Sequence, residues 1–230
     1  FKSLSEQNLQ FRENLGAVNL EPKLPRQLPL ISLVVPSAGK LKYLLPFLDS
    51  LSKRTDYKKF ELILTIEEDN YRRVKSQLVL DKMQLPKTVL VQHKFKVFNY
   101  SKIINNALKH CTGKYICLLN DDLEFTNPAW LSEMLRWLYY RNTGIVGALL
   151  LYPDRKIQHA GITLGINGVC EHAEQGFNSL RCQKTNRLAK YPRSVTAVTG
   201  ACLLAPKSTF DKLNGLDEKF AEAYNDVDFC

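Results

Sequence analysis

The stretch 30–39, LISLVVPSAG, decides the fold class of this chain. Its apolar, β-rich first part is ended by proline, serine, alanine and glycine, which is typical of a buried parallel strand that enters a tight loop. The next stretch, Leu41–Leu51, repeats leucine at helical spacing. A strand, a tight loop and a helix in this order form the first unit of a doubly wound α/β sheet.

The same alternation of strand and helix continues along the chain. Phe60–Ile66 (FELILTI) predicts a second strand, and a third is predicted near Thr88–Gln92. A helical stretch over Tyr100–His110, with Gly113 at the position of a helix C-cap, precedes a fourth buried strand, Tyr115–Leu119. The order predicts an α/β domain with a mainly parallel, Rossmann-like sheet flanked by helices.

The second half of the chain is less regular. Trp130–Tyr139 predicts an amphipathic helix, and Gly144–Leu151 predicts another apolar strand. The remainder is dotted with glycine and rich in loops until Ser194–Leu204, which predicts an extended segment.

Length and composition indicate one globular domain. The chain has 230 residues, of which 45% are hydrophobic and 24% charged, and this is ordinary for a globular protein. No apolar stretch approaches the roughly 20 residues that a membrane helix requires. Residues 1–28 have the composition of a linker or an extension, so we expect the folded domain to cover residues 29–230.

The net charge of +9 is compatible with three kinds of partner: nucleic acid, an anionic membrane face or a phosphate-bearing substrate. The basic residues are spread along the chain and are not gathered in one arm interleaved with aromatic residues. We therefore expect no nucleic-acid partner. A peripheral membrane contact stays open.

The six cysteines show no CxxC spacing. In a chain of this size without a secretory signal sequence, they predict free thiols and neither a disulfide framework nor a zinc site. We therefore expect a cytoplasmic protein, with the inner face of the cell membrane as a second location to consider.

Candidate binding residues follow the predicted strands, because ligands in an open α/β sheet bind beyond the carboxyl ends of the strands. Pro36 and Ser37 follow the first strand, Glu67 follows the second, and the adjacent Asp121 and Asp122 follow the fourth. Two adjacent carboxylates make an oxygen-rich site suited to Mg²⁺ or Mn²⁺ that bridges a diphosphate. For the acidic segment after the second strand and for the one after the fourth, the alternative is a polar turn that binds no ligand.

Polar residues also open the predicted helix that precedes the fourth strand. Asn99, Ser101 and Asn105 lie in its first part. Ser101 fits a helix N-cap, and this structural role does not exclude contact with a ligand.

Two carboxylates near the end of the sequence are candidates for a general base. A hydroxyl that acts as a nucleophile needs a base to take its proton, and Asp226 or Asp228 could serve. The alternative is that both are helix-start acids favoured by the helix dipole. His159 and His172 could bind phosphate or a metal, but lone histidines are more often structural, so neither is placed among the site residues.

Taken together, these segments resemble glycosyltransferase family 2, in particular its bacterial O-antigen and rhamnosyltransferase-like branch. The matching pieces keep their order and cover roughly residues 30–230. They are ISLVVPSAGK, TDYKKFELIL, FNYSKIINNAL, YICLLNDDLEF, NPAWLSEML, GIVGALLLYPDRKIQHAG, AVTGACLLAPK and FDKLNGLDEKFAEAYNDVDFC.

The resemblance implies a GT-A fold, an activated nucleotide-diphosphate sugar as donor, a divalent metal and inversion at the anomeric carbon. Residues after the first strand would line the nucleotide site, and the acid after the second strand stands near the family's nucleoside contact. The candidate nucleotide-sugar-binding residues are Pro36, Ser37, Glu67, Asn99, Ser101, Asn105 and Asp121.

The resemblance also implies roles for the remaining candidates. Asp122 lies at the metal-binding position of the family's DXD motif and would hold Mn²⁺ or Mg²⁺. Thr199 and Gly200 would border the acceptor, and Asp228 is counted on the same side. Asp226 takes the second position of the family's Glu-Asp pair and would be the general base.

Four features depart from the family pattern. Glu67–Asn70 replaces the usual Asp-Asn-Gly-Ser, and Asn120 takes the first position of the DXD motif. Asn225 takes the first position of the Glu-Asp pair. The sequence ends at Cys230, where the family continues, so we expect a domain that is truncated at its C-terminus.

We therefore predict a metal-dependent, inverting glycosyltransferase. It would move a sugar from a nucleotide-diphosphate donor to a hydroxyl of a glycan or a lipid-linked saccharide, in cell-surface polysaccharide synthesis. One alternative is a non-catalytic nucleotide-sugar or carbohydrate binding module of the same fold. A second is a nucleotidyltransferase, against which the lack of a glycine-rich phosphate loop after the first strand argues.

Overall fold

The computed structural model describes residues 9–14, 17–77, 85–165, 168–179, 189 and 191–230, with side chains described from Glu21 onward. In chain order the elements are β1 (Leu9–Asn14), β2 (Ala17–Pro22), β3 (Ile31–Ser37), α1 (Leu41–Lys53), β4 (Phe60–Glu67), α2 (Glu68–Gln77), β5 (Thr88–His93), α3 (Tyr100–Leu108), β6 (Tyr115–Leu119), α4 (Trp130–Leu138), β7 (Val146–Gly147), β8 (Leu150–Leu151), β9 (Ile157–His159), β10 (Ile162–Leu164), β11 (Cys170–His172), β12 (Cys202–Pro206), α5 (Lys207–Leu213) and α6 (Asn225–Phe229).

A six-stranded sheet forms the centre, with the strands in the spatial order β5-β4-β3-β6-β12-β7. β5, β4, β3 and β6 run parallel, whereas β12 is antiparallel to β6 and β7 is antiparallel to β12. The predicted α/β fold with a mainly parallel sheet is therefore confirmed. Strands β8 and β9, and strands β10 and β11, form two small antiparallel pairs outside this sheet.

Both faces of the parallel part of the sheet are buried, which is why its strands are nearly continuous apolar runs. Because side chains alternate along a strand, Leu33 and Val35 pack in one cluster with α1 and α4. Val34, between them in sequence, packs in a second cluster with α3, α5 and α6. The sheet is thus held between two layers of helices.

The predicted strand at Gly144–Leu151 is wrong as a single element. The structure divides it into β7, which joins the main sheet, and β8, which pairs with β9. A Cβ atom at Gly147 would lie 2.6 Å from the Cβ of Val198, so this glycine permits a close approach of the two segments. An apolar run alone does not tell one strand from two short ones that serve different sheets.

Gly113 is not the C-cap of α3, because that position is held by Lys109. The glycine instead lies against β3, where its N–H donates to Ser32 Oγ at 2.9 Å. A Cβ atom at Gly113 would stand 2.6 Å from the backbone nitrogen of Ser32. Close packing of two backbones, and not helix termination, requires glycine here.

The N-terminal segment 1–28, predicted as a linker or an extension, contains the β1–β2 hairpin. Arg136 of α4 donates to the carbonyl oxygen of Pro22 at 3.0 Å and lies 3.9 Å from a carboxylate oxygen of Glu21. The end of this hairpin therefore contacts the domain. The boundary at residue 29 and the truncation at the C-terminus stay predictions.

The cysteines follow the predicted state where the structure describes them. Cys111, Cys117, Cys170, Cys202 and Cys230 are free thiols, and Cys182 lies outside the described residues. In the described part of the chain, no helix has the length and apolar character needed to cross a bilayer.

Candidate active site

Strand β3 and the Asn-Asp-Asp motif, Asn120–Asp122, meet at the carboxyl edge of the sheet. The parallel register pairs Val34 with Leu118, so its continuation by three residues sets Ser37 opposite Asp121. Ser37 Oγ donates to Asp121 Oδ2 at 2.5 Å and accepts from the backbone N–H of Gly39 at 2.9 Å. The hydroxyl of Ser37 thus fixes one carboxylate of the motif to the loop after β3.

The two carboxylates of the motif have different surroundings. Asp121 is half-buried, whereas Asp122 is exposed to solvent. Burial is the largest cause that raises the pKa of Asp121, and the charge of Asp122 raises it further, while the Ser37 hydrogen bond and the charge of Lys40 oppose the shift. The site disfavours two adjacent negative charges, and a cation placed beside them would relieve this cost.

The loop after β3 is also held by a residue that the sequence did not single out. Arg73 of α2 donates to the carbonyl oxygen of Gly39 at 3.1 Å and to Asn70 Oδ1 at 2.8 Å. A cationic side chain therefore stands beside the loop that begins with Pro36 and Ser37. The sequence shows that Arg73 follows an acidic segment, but it does not show that the side chain contacts the loop after β3.

Glu67 ends β4 and is exposed at the same edge of the sheet. It lies opposite His93 in the parallel register with β5. Burial lowers the pKa of His93, and the charge of Glu67 opposes this shift. The structure leaves Glu67 accessible, and its contact with a nucleoside stays a prediction.

Three predicted donor-side residues, at the N-cap of α3 and within it, are engaged with a distant segment. Asn99 Nδ2 donates to the Glu218 carbonyl oxygen at 2.8 Å, Ser101 Oγ donates to that of Phe220 at 2.9 Å, and Asn105 Nδ2 donates to that of Leu216 at 2.9 Å. These side chains hold the segment that leads to α6, and donor binding by them stays a prediction.

The N-cap of α3 is Asn99, whose Oδ1 accepts from the backbone N–H of Lys102 at 2.9 Å. The suggested N-cap role of Ser101 is therefore wrong. Ser101 lies inside the first turn and is fully buried, and its hydroxyl reaches another segment instead of its own helix.

The Asn-Asp-Asp motif is connected to the predicted general base through backbone hydrogen bonds. The N–H of Asn120 donates to the carbonyl oxygen of Ala201 at 3.0 Å. Gly200, one residue earlier, donates its N–H to Asp226 Oδ2 at 2.9 Å, and Val227 donates its N–H to Asp226 Oδ1 at 2.9 Å. Both carboxylate oxygens of Asp226, the predicted base, are therefore oriented, and the residue lies beside the 199–201 segment, which bonds to Asn120.

The other acceptor-side candidates are nearby but less constrained. Thr199 Oγ1 accepts from the N–H of Ala201 at 3.3 Å. Asp228 lies on α6 and is exposed, so the structure orients Asp226 towards the 199–201 segment and leaves Asp228 at the surface.

Two groups beside this segment were not predicted as site residues. The hydroxyl of Tyr100 is buried and has no hydrogen-bond partner in the described part of the chain. His159 is 1% exposed, and its Nε2 accepts from the N–H groups of Gly161 at 3.3 Å and Thr199 at 3.4 Å. The contact between His159 and Thr199 has no sequence signal, because the two residues lie 40 positions apart in the chain.

The histidine pair has a structural arrangement. Nδ1 of His159 lies 2.9 Å from Nδ1 of His172, with the two rings nearly perpendicular. Burial, and then the charges of His172 and Arg193, lower the pKa of His159 to about 4. The ring is therefore neutral at ordinary pH and supports the backbone at Thr199.

Within the described residues, no three His, Cys, Asp or Glu side chains are grouped to hold a metal ion. Asp121 and Asp122 supply two carboxylates at the end of β6. This donor set fits Mg²⁺ or Mn²⁺ bound by one or two carboxylates together with the phosphates of a substrate. It does not fit a structural site formed by protein ligands alone.

The comparison with protein families agrees with this geometry. The model of glycosyl transferase family 2 matches residues 32–213, from β3 to the end of α5. The chain belongs to glycosyltransferase family 2. The match includes the carboxyl-edge residues up to Gly200, whereas Asp226 lies beyond it.

Two curated relatives cover most of the chain. An uncharacterised protein of Sinorhizobium fredii, y4gI, is 35% identical in an alignment of 207 residues that covers 88% of this chain and 22% of the relative. The O-antigen biosynthesis protein RfbC of Myxococcus xanthus is 30% identical over 203 residues, which are 88% of this chain and 16% of that relative. The chain thus spans less than a quarter of the length of either relative.

Two solved structures illustrate the similarity in fold. The mannosyltransferase PcManGT of Pyrobaculum calidifontis, in complex with GDP-Man and Mn²⁺, has a TM-score of 0.59 and 16% identity, covering 89% of this chain and 51% of its own. GalNAc-T7, solved with UDP, GalNAc and Mn²⁺, has a TM-score of 0.66 and 12% identity, covering 87% and 39%. The predicted GT-A fold is therefore confirmed.

Proposed function

We propose that this chain is the catalytic domain of a metal-dependent, inverting glycosyltransferase that uses a nucleotide-diphosphate sugar. Family membership supports glycosyl transfer as the chemistry. The observation that carries the proposal is the connected series of hydrogen bonds from the donor side to the base. It runs from Ser37 to Asp121, from the adjacent Asn120 to Ala201, and from Gly200 to Asp226.

The donor would lie at the carboxyl edge of β3, β4 and β6. Pro36 and Ser37 would line the nucleotide, Asp121 would contact the donor, and the exposed Asp122 would hold Mn²⁺ or Mg²⁺. A divalent cation held there would neutralise charge on a leaving diphosphate. Related structures solved with GDP-Man, UDP-GlcNAc and Mn²⁺ support this choice of ligand class.

The acceptor would enter from the side of Thr199 and Gly200. Asp226 would take the proton of the acceptor hydroxyl. At the same time the oxygen of that hydroxyl would form a bond to the anomeric carbon, from the face opposite the diphosphate. The bond between that carbon and the phosphate oxygen breaks, and the nucleoside diphosphate leaves with the bonding electrons. A single displacement of this kind inverts the anomeric centre.

The backbone bonds to Asp226 suit this role. Each carboxylate oxygen has two acceptor sites, so the N–H groups of Gly200 and Val227 leave one site on each oxygen for a proton. The same bonds fix the orientation of the carboxylate, and a base held in one orientation is a more effective catalyst than a mobile one.

The proposed setting is the synthesis of a cell-surface polysaccharide. The relative with a role in O-antigen biosynthesis supports this, and it suggests a glycan or a lipid-linked saccharide as acceptor. We propose a cytoplasmic location at the inner face of the membrane, where the net charge of +9 would favour contact with anionic lipids.

A second candidate function is a binding module that has the fold but no turnover. One observation favours it. Asn225 stands where the family has an acid, and it is buried with Nδ2 at 3.5 Å from the carbonyl oxygen of Phe220. A structural amide has thus replaced one of two carboxylates near the base.

The test is a transfer assay on the Asp226→Asn variant with the Asp228→Asn variant as matched control. Wild type should transfer the sugar from one of a panel of UDP-, GDP- and dTDP-sugars to a methyl glycoside, with Mn²⁺ present, and release free nucleoside diphosphate. Asp226→Asn should abolish release and keep the thermal shift caused by the donor, whereas Asp228→Asn should behave as wild type. Donor binding by wild type without any release would favour the binding module, and release of pyrophosphate would indicate nucleotidyl transfer.

A further inference from the structure

The hydroxyl of Tyr100 is the unusual feature of the acceptor side. It is one of two buried side-chain polar atoms without a hydrogen-bond partner in the described part of the chain. Buried hydroxyls of tyrosine usually find a partner, because an unpaired buried donor is destabilising. A group of this kind in a native fold calls for an explanation, and a missing ligand is one.

The position of this hydroxyl relative to the base is given by Gly200. A Cβ atom built on Gly200 would lie 3.5 Å from the Tyr100 hydroxyl oxygen and 3.9 Å from Asp226 Oδ2. The phenol and the carboxylate therefore face the same small space, and they do so without bonding to each other. Gly200 adds no side chain between the two groups.

Hydrogen bonds hold the backbone of Tyr100 and the carboxylate of Asp226 in place. The N–H of Tyr100 donates to the carbonyl oxygen of Ala221 at 2.7 Å, and Ser101 fixes the next residue of the segment. Asp226 is held by two backbone N–H groups. A pair of polar groups held in this way is pre-organised for one bound oxygen.

We propose that the space above Gly200 is the seat of the acceptor's nucleophilic hydroxyl, which donates to Asp226 and accepts a hydrogen bond from Tyr100. This inference rests on the proposed function and adds Tyr100 as an acceptor-binding residue and Gly200 as the residue that limits the size of the group. Tyr100 fixes the hydroxyl so that its remaining lone pair points at the donor.

Electrostatics agree with the donor role of the phenol. Burial, and then the negative charge of Asp226, raise the pKa of Tyr100. The phenol therefore keeps its proton at neutral pH and can donate a hydrogen bond.

The first variant is Tyr100→Phe, which removes only the hydroxyl. Loss of one hydrogen bond to the acceptor should lower kcat/KM for transfer to a panel of methyl glycosides by roughly tenfold. The same change should raise the melting temperature, since it removes a buried donor that has no partner. A hydroxyl with a merely structural role would show the opposite change in melting temperature.

The second variant is Gly200→Ala, with Gly144→Ala as its control. The added methyl group at Gly200 would meet its neighbours at ordinary contact distances, and Gly200 does not have a left-handed backbone, so the fold should tolerate it. The methyl would occupy the proposed seat and should abolish transfer while the donor-induced thermal shift is kept. Gly144 has no atom within 4 Å of its Cβ position, and alanine there should change neither property.

The outcomes separate the two proposals. If wild type binds a donor and releases no nucleoside diphosphate with any methyl glycoside, the proposed function is overturned and this inference with it. If wild type releases it and Tyr100→Phe and Gly200→Ala do so equally well, the inference alone is overturned. Reduced transfer by both variants, with a raised melting temperature for Tyr100→Phe, would support it.

Discussion

His159 should make the stability of the fold depend on pH. The ring is 1% exposed, and its Nε2 accepts from two backbone N–H groups, those of Gly161 and Thr199. A proton on Nε2 would point at these two N–H groups, and both hydrogen bonds would be lost. The neutral ring therefore carries its hydrogen on Nδ1, which donates to Nδ1 of His172 at 2.9 Å.

The size of the effect follows from the pKa of His159. Burial, and then the charges of His172 and Arg193, lower it from 6.5 to about 4. The unfolded chain therefore binds the proton first as the pH falls. Stability from this residue is complete above pH 6.5 and is lost as the pH falls towards 4. The whole difference is worth about 3 kcal/mol, of which about 2 kcal/mol is lost by about pH 5.

The assay is urea unfolding of wild type and His159→Gln at about pH 7.5 and about pH 5. Wild type should lose about 2 kcal/mol more than the variant between the two conditions, since glutamine does not titrate. His110→Gln, which changes an exposed histidine, should keep the wild-type dependence. An equal loss in wild type and His159→Gln would refute the assignment of a neutral buried ring.

The remaining predictions concern the donor edge and the opposite end of the sheet. Ser37→Ala should lower the free energy of unfolding by about 1–2 kcal/mol and weaken the donor-induced thermal shift, because Asp121 loses its hydrogen bond. A chelator, or Asp122→Asn, should remove the Mn²⁺-dependent part of that shift; Glu124→Gln, which changes an exposed acid of the same loop, should not. Hydrogen bonds outweigh burial and lower the pKa of Glu61 from 4.5 to about 2, so its stabilisation is present above pH 4.5 and is lost as the pH falls towards 2. Glu61→Gln should cost about 2–3 kcal/mol in urea unfolding at neutral pH, and a smaller loss at neutral pH than near pH 3 would contradict this assignment.

The elements of the first half of the domain were predictable because their signals are local. The strand at Phe60–Ile66 and that at Tyr115–Leu119 differ from the structure by at most one residue. The position of Asp121 and Asp122 followed at once, since a polar motif directly after a buried strand must lie at the carboxyl edge of the sheet. Hydrophobic periodicity and strand ends can be identified in a short stretch of sequence, without knowing which segments contact one another in the fold.

The contacts within the site were not predictable in the same way. Tyr100 and Asp226 are brought together only by the packing of α3 against the 216–221 segment, and His159 reaches Thr199 across 40 residues of chain. Glu61 gave a signal that was not used. A carboxylate within an apolar strand must be paired when buried, and here it accepts from Ser32, Thr112 and Lys87.

The helix α3 connects the two sides of the site. Asn99, Ser101 and Asn105 were predicted as donor contacts, yet their side chains bind the backbone at 216–220. That segment leads to Asp226, and α3 also carries Tyr100 at its first position. The helix therefore sets the distance between the proposed acceptor-binding hydroxyl and the proposed base. Helix α6 has only five residues, so the proposed acceptor side depends on the contacts of α3 with the 216–221 segment, whereas the proposed donor side depends on the parallel register of β3 and β6.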